Sequence, residues 1–176
     1  MQKGYVQVYT GDGKGKTTAA LGAGLRAVGR GLRVMMVQFL KGRHTGELEA
    51  LKRLAPEFQI LRFAETKKFF NEMDQGEIEE LKAILMEEME NLNDLLKESP
   101  YDVLILDEIM GAMQNGLISE EEVSDIIKNK APNMELILTG RNLPEAIARQ
   151  ADLITEMKNI KHYSDKGVAA RVGIEM

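Results

Sequence analysis

"YTGDGKGKTTAA", Tyr9–Ala20, sets three glycines, two lysines and two adjacent threonines between apolar stretches. Glycines permit positive φ values and close backbone approach, while lysines bring positive charge and threonines bring hydroxyl ligands. The ligand such a loop is built to hold is a polyanion accompanied by a metal ion.

On its amino side, "YVQVYT" alternates and is rich in β-formers. On its carboxyl side, "TTAALGAGLRAVGRG" suits a small-residue helix ending around Gly29 or Gly31. "LRVMMVQF" follows, apolar on both faces as a buried parallel strand is, which completes a β-α-β unit. "FQILRF", "YDVLILD", "MELILT" and "DLITEM" read as further short strands separated by helical segments. The clearest helix begins near Asp74, with Ile78, Leu81, Leu85, Met89, Leu92 and Leu96 on one stripe and Glu77, Glu79, Lys82, Glu87 and Glu90 elsewhere. Ser119 with Glu122 forms a capping box for "SEEEVSDIIKNK", and Asn142 is the expected N-cap of "LPEAIARQA", with Pro144 in its first turn. Strands alternating with helices predict an α/β domain, residues 1–176, whose mostly parallel sheet is covered on both faces and binds ligands at the carboxyl ends of its strands. The least regular stretches, Arg43 to Gly46 and Ala64 to Gly76, are expected to form loops over that edge.

Within the opening loop, Gly15, Lys16 and Thr17 close a phosphate-binding P-loop pattern between strand and helix. Thr10 stands where the strict pattern has glycine, and the glycines fall instead at Gly11 and Gly13. Backbone N–H groups from Gly11 through Asp12, Gly13, Lys14, Gly15, Lys16 and Thr17 can still line a concavity at the positive end of the helix. Lys16 is predicted to contact phosphate oxygens, and Thr17 to ligate Mg²⁺. "VLILDE", Val103–Glu108, has the form of a Walker B strand that delivers Asp107 and Glu108 to the same edge, where either can hold Mg²⁺ directly or through water.

Lys41, in "VQFLKG", ends another strand at that edge and reads either as a phosphate contact or as a solvated loop lysine. Arg26 lies two to three turns along the helix from the phosphates, which favours a surface role. Phe69 and Phe70, in polar surroundings, either contact a flat apolar ligand or anchor their loop to the core. His44 and His162 have no second ligand at zinc spacing, so no histidine metal site is expected. The 11 methionines, Met35, Met36 and Met113 among them, are read as fillers of core gaps.

The chain has 44% hydrophobic and 29% charged residues and no apolar run of the roughly 20 residues that cross a bilayer, so no membrane role is expected. With no cysteine there is no disulfide, thiolate metal site or cysteine nucleophile. A formal net charge of −5 argues against a nonspecific grip on duplex DNA, and no nucleic-acid partner is expected. The first residues run straight into a strand pattern with no export signal, which makes a cytoplasmic location the expectation.

Taken together, "YTGDGKGKTTAALGAGLRAVGRG", "VMMVQFLKG", "VLILDEIMGAMQNGLISEEEV", "ELILTGRNLPEAIARQADLITEM" and "KHYSDKGVAARVGIE" resemble the CobA/BtuR-type corrinoid adenosyltransferases, in order and spacing, over nearly the whole chain. The resemblance implies a three-layer, RecA-like P-loop fold, a homodimer, and transfer of the 5′-deoxyadenosyl group of ATP to the cobalt of a reduced corrinoid with release of triphosphate. It places Gly11 to Thr18, Thr18 included, around the phosphates, Thr17 and Glu108 near Mg²⁺, and Arg26 and Lys41 on the nucleotide. It also implies a reductase as electron donor. Longer members have a segment before the first strand that helps cover the corrinoid, whereas four residues precede Tyr5 here, so that cover is missing or comes from elsewhere. The family's aromatic loop usually includes tryptophan; here Phe69 and Phe70 take that place, in a chain without Trp. On the residues alone, two other readings stay open: a P-loop ATPase or kinase acting at the γ-phosphate, and a non-catalytic ATP-binding regulatory module.

Overall fold

Parallel strands cannot be joined by tight turns, so a chain of short apolar strands must carry helices between them. The computed structural model describes residues 3–66, 68, 70–97 and 100–175. Its strands are β1 (Val6–Thr10), β2 (Val34–Phe39), β3 (Phe58–Phe63), β4 (Val103–Asp107), β5 (Glu135–Thr139) and β6 (Leu153–Glu156). They form one sheet in the order β3-β2-β4-β5-β1-β6, and every neighbouring pair is parallel. The sheet expected to be mostly parallel is wholly so. The helices are α1 (Lys16–Val28), α2 (Gly46–Leu51), α3 (Gln75–Lys97), α4 (Ile109–Gln114), α5 (Glu120–Asn129) and α6 (Glu145–Ala148). Among the described residues no helix is long and apolar enough to cross a membrane.

Three layers result. Ala20, Leu21 and Ala27 of α1, with Leu51 of α2, pack on Met36, Ile105 and Ile137. On the opposite face, Leu85, Met89 and Leu92 of α3, Ile109 and Met110 of α4 and Val123 and Ile127 of α5 cover Met35, Val37, Leu104 and Leu138. Strands β2 and β4 are buried at every position, as apolar strands with helices on both sides must be. Strand β6, at the edge, is exposed throughout.

The long helix starts one residue after Asp74, whose carboxylate accepts the N–H of Glu77 while Glu77 accepts the N–H of Asp74. This reciprocal cap is the physical start signal. Its expected stripe is buried from Leu81 to Leu92, and the side chain of Leu96 lies outside the described residues. Burying each such side chain is worth about 1.5–3 kcal/mol. Met35 and Met36 are fully buried, and Met113 is partly so. Ser119 and Glu122 form the expected capping box of α5. Asn142 does not cap α6: it has φ 53 and donates its side-chain amide to Gln114, and the capping position falls to Pro144. With β-region backbone and a fixed φ of −64, Pro144 starts the helix itself, just before its first turn.

Each of the first five strands ends in the same way. Gly11 (φ 99), Leu40 (φ 59), Ala64 (φ 49), Glu108 (φ 63) and Gly140 (φ 146) directly follow β1 to β5, all with positive φ. The chain turns sharply off the carboxyl edge five times. Three of those residues are not glycine, a left-handed conformation that costs about 1–2 kcal/mol each and that clusters at functional edges.

Candidate active site

The loop between β1 and α1 is shaped by what lies behind it. A Cβ on Gly11 would stand 2.4 Å from the carbonyl oxygen of Met157, and one on Gly13 would stand 2.7 Å from the same atom. Only glycine fits against this backbone, which leaves β6. The Gly13 N–H donates to Met157 O at 2.7 Å, so that amide is committed to the protein and does not face a ligand, contrary to the expectation for the whole run from Gly11 to Thr17. Gly15, at φ 123, turns the chain into α1, whose amino end has no side-chain cap. Uncapped first-turn amides and the helix dipole make this end attractive to anions.

Lys16 is buried, and its ammonium donates to the carbonyl oxygens of Gly11 (2.6 Å) and Gly13 (2.9 Å). Burial lowers its pKa, an effect opposed by nearby Glu108 and reinforced by Arg141. An anion arriving in the loop would restore the charge that burial disfavours.

Asp107 is the hub of the site. It is 0% exposed, and four side chains donate to it: Thr17 Oγ1 (2.9 Å) and Thr139 Oγ1 (2.7 Å) to Oδ1, and Gln38 Nε2 (3.3 Å) and the Lys41 ammonium to Oδ2. Lys41 Nζ also lies 3.3 Å from Thr17 Oγ1. A carboxylate this deep must be paired, and it is paired by residues from α1, β2, β5 and the β2 exit at once. The sheet explains why they meet. Gln38 is in register with Asp107, and Thr139 follows Leu138, the partner of Leu106. Strand β5 stands between β1 and β4, which sets Asp107 two strand spacings, about 10 Å, from β1 and leaves room for the head of α1. Glu108 turns away in left-handed backbone, its N–H bonded to Thr139 Oγ1 (3.0 Å), and its side chain enters the cleft.

The cleft measures about 730 Å³, within the usual range of small-molecule sites. Asp12, Lys14, Thr18, Lys41 and Glu108 line it together with the loop glycines Gly13 and Gly15. So do Arg141, His162 and Glu175, to which the residues alone gave no role. Arg141, one residue past the Gly140 turn, lies 3.9 Å from Asp12 at the exposed rim. Residues 161–175 form a strap across the loop: Lys14 Nζ bonds Glu175 Oε1 (2.8 Å), Tyr163 OH (3.1 Å) and the Ile174 carbonyl (3.3 Å), and Arg171 also pairs with Glu175. Arg171, Lys14 and Tyr163 hold the Glu175 carboxyl well below the usual range. No local period announces such a strap, since each contact that ties it to the loop joins Lys14 to a residue more than a hundred positions away.

Arg26 and Phe70 do not join this group. Arg26 is exposed in the last turn of α1 and is not part of the cleft lining, because ten residues of helix separate it from Lys16. Phe70 opens a 3-10 turn, Phe70–Glu72, and packs against the core beside Met73. Of its two open roles, the structure shows the anchor. Phe69 lies outside the described residues. Among the described residues no cluster of three or more His, Asp or Glu could hold a metal by itself.

The family model for the ATP:corrinoid adenosyltransferases BtuR/CobO/CobP matches residues 2–176. The chain belongs to this family. Corrinoid adenosyltransferases of Escherichia coli K12 and Salmonella typhimurium LT2 are each 34% identical to it, across 99% of this chain and 86% of theirs. One from a Sinorhizobium species is also 34% identical, across 99% and 81%. Membership makes the protein an enzyme of the transferase class, and its six-stranded parallel sheet is the three-layer, RecA-like form of the P-loop fold. The family match takes in the glycine-rich loop, the Asp107 hub and the strap alike.

Proposed function

We propose that this protein transfers the 5′-deoxyadenosyl group of ATP to the Co(I) centre of a corrinoid and releases triphosphate. The observation that carries the reading is the convergence on one cleft of an anion-accepting loop, a buried lysine and a hydroxyl-carboxylate pair, Thr17 and Asp107. In the reaction the cobalt electron pair forms the Co–C5′ bond, the C5′–O bond breaks, and its electrons leave on the triphosphate. No protein nucleophile is needed. The chain's task is to hold the leaving group and align C5′ with cobalt.

Lys16 and the first-turn amides of α1 grip the triphosphate, and Thr18 and Lys14 border it. The donor set fits Mg²⁺: a hydroxyl and a buried carboxylate, all oxygen, with a positively charged group already beside both, suit a hard cation that takes its other ligands from phosphates and water. Thr17 and Asp107 would hold it, with Glu108 within reach of its outer sphere. Bound there, Mg²⁺ would offset the charge that grows on the leaving oxygen. Phe69, next to the anchored Phe70, is our proposed apolar contact for the corrinoid. We also read the protein as a cytoplasmic homodimer that draws on a separate reductase, in keeping with the family to which it belongs.

Incubation with ATP, Mg²⁺ and chemically reduced cobalamin tests the reading. The expected products are adenosylated corrinoid, seen by its absorption spectrum, and inorganic triphosphate. ADP and phosphate instead would put the attack at the γ-phosphate and overturn it. Lys16→Ala and Thr17→Ala are each expected to cut transfer at least about a hundredfold, the scale of losing one donor to a developing oxyanion.

A further inference from the structure

Lys41 stands in an unusual place. Its ammonium bonds both groups proposed as metal ligands, the Asp107 carboxylate and the Thr17 hydroxyl, and so lies where a cation shared by the two would lie. We infer that Lys41 is a tethered stand-in for the divalent ion: it closes the metal position until nucleotide arrives, so the protein takes up the metal-nucleotide complex and does not load metal beforehand. The inference rests on the Mg²⁺ reading given above.

Charge drives the argument. Without nucleotide, Asp107 is neutralised by Lys41, and Lys16 adds a second positive charge at the loop. A dication entering alone must displace an ammonium held by its own backbone, whose effective concentration at Asp107 is high, and must then sit beside it. A triphosphate reverses both terms. It brings several negative charges into the loop and offers Lys41 new partners a short swing away. The route exists: the Lys41 side chain is 24% exposed and lines the cleft, between Leu40 at φ 59 and Gly42. Gln38 helps to prepare the position, because its Nε2 orients Asp107 while its fully buried Oε1 has no partner among the described residues and can accept from a metal-bound water. Lys41 is thus a positioning and selecting residue, first for the carboxylate and then for the phosphates.

The test is Mn²⁺ binding, followed by its paramagnetic signal, to wild type, Lys41→Met and Lys41→Gln, with and without ATP and with no corrinoid present. Without ATP, both variants are expected to bind Mn²⁺ at least about tenfold more tightly than wild type. Equal affinity, tighter binding by wild type, or no binding by any of the three without ATP while all bind with it, overturns the inference. If none forms a ternary complex even with ATP, the metal reading itself falls, and the inference with it. Should both variants fail to fold, wild type decides alone through its thermal midpoint. It is expected to rise with Mn²⁺ plus ATP and to stay unmoved by Mn²⁺ alone, and a rise with Mn²⁺ alone overturns the inference.

Discussion

The hydroxyl of Thr139 donates to Asp107 Oδ1 at 2.7 Å, and Thr139 Oγ1 in turn accepts the main-chain N–H of Glu108 at 3.0 Å. One side chain on β5 therefore fixes the carboxylate and the left-handed turn that follows it. Thr139→Val keeps the shape and removes both bonds. It is expected to cost about 1–3 kcal/mol in denaturant unfolding, with weaker metal dependence of transfer, while Thr139→Ser retains most of both.

The lowered pKa of Lys16 predicts the alkaline limb of nucleotide binding. A lysine disfavoured by burial loses its proton below the ordinary lysine range, so ATP affinity is expected to hold near neutrality and to fall as pH rises through that lowered value. Titration calorimetry with ATP from roughly pH 7 to pH 10 measures it. Lys16→Arg, which stays charged, is expected to flatten the limb.

Glu88, on α3, accepts the N–H of Ala64 at 2.7 Å, and burial raises its pKa. Ala64 is the buried positive-φ residue where the chain leaves β3. A carboxyl raised in the folded state favours folding while protonated and loses that contribution as pH climbs through its folded value. Glu88→Gln keeps the acceptor without the ionisation. Its denaturation midpoint is expected to exceed that of wild type at neutral pH, with the gap closing in acid below the usual carboxylate range.

The strap yields a third pH statement. Glu175, depressed by Arg171, Lys14 and Tyr163, keeps its charge through the usual carboxylate range, and the contact is lost only as pH falls through its depressed value. Glu175→Ala is expected to release Lys14 and speed hydrogen exchange across residues 161–175, with little change in β1 to β5.

What the residues announced on their own was what local physics encodes. Period-two and all-apolar runs located all six strands, a three-four stripe located α3, and Ser119 with Glu122 marked α5. Asn142 misled because a capping residue type stood two residues ahead of a proline: the chain took a positive φ at Asn142, and Pro144 became the N-cap of a helix that begins at Glu145. At the site, Lys16, Thr17 and Asp107 were legible from their motifs. The union of Lys41 with Asp107, the support of Gln38 and Thr139, and the commitment of the Gly13 amide to Met157 were not, because each depends on which strands lie side by side. Phe70 was a choice between ligand and anchor that only its packing on the core could decide.

The backing of Gly11 and Gly13 by Met157 also sets a timetable. During synthesis the loop leaves the ribosome well over a hundred residues ahead of the surface it leans on. A nascent chain would thus carry the whole signature of a nucleotide binder while lacking the shape of one, and would gain its grip only when the edge strand closes against the sheet.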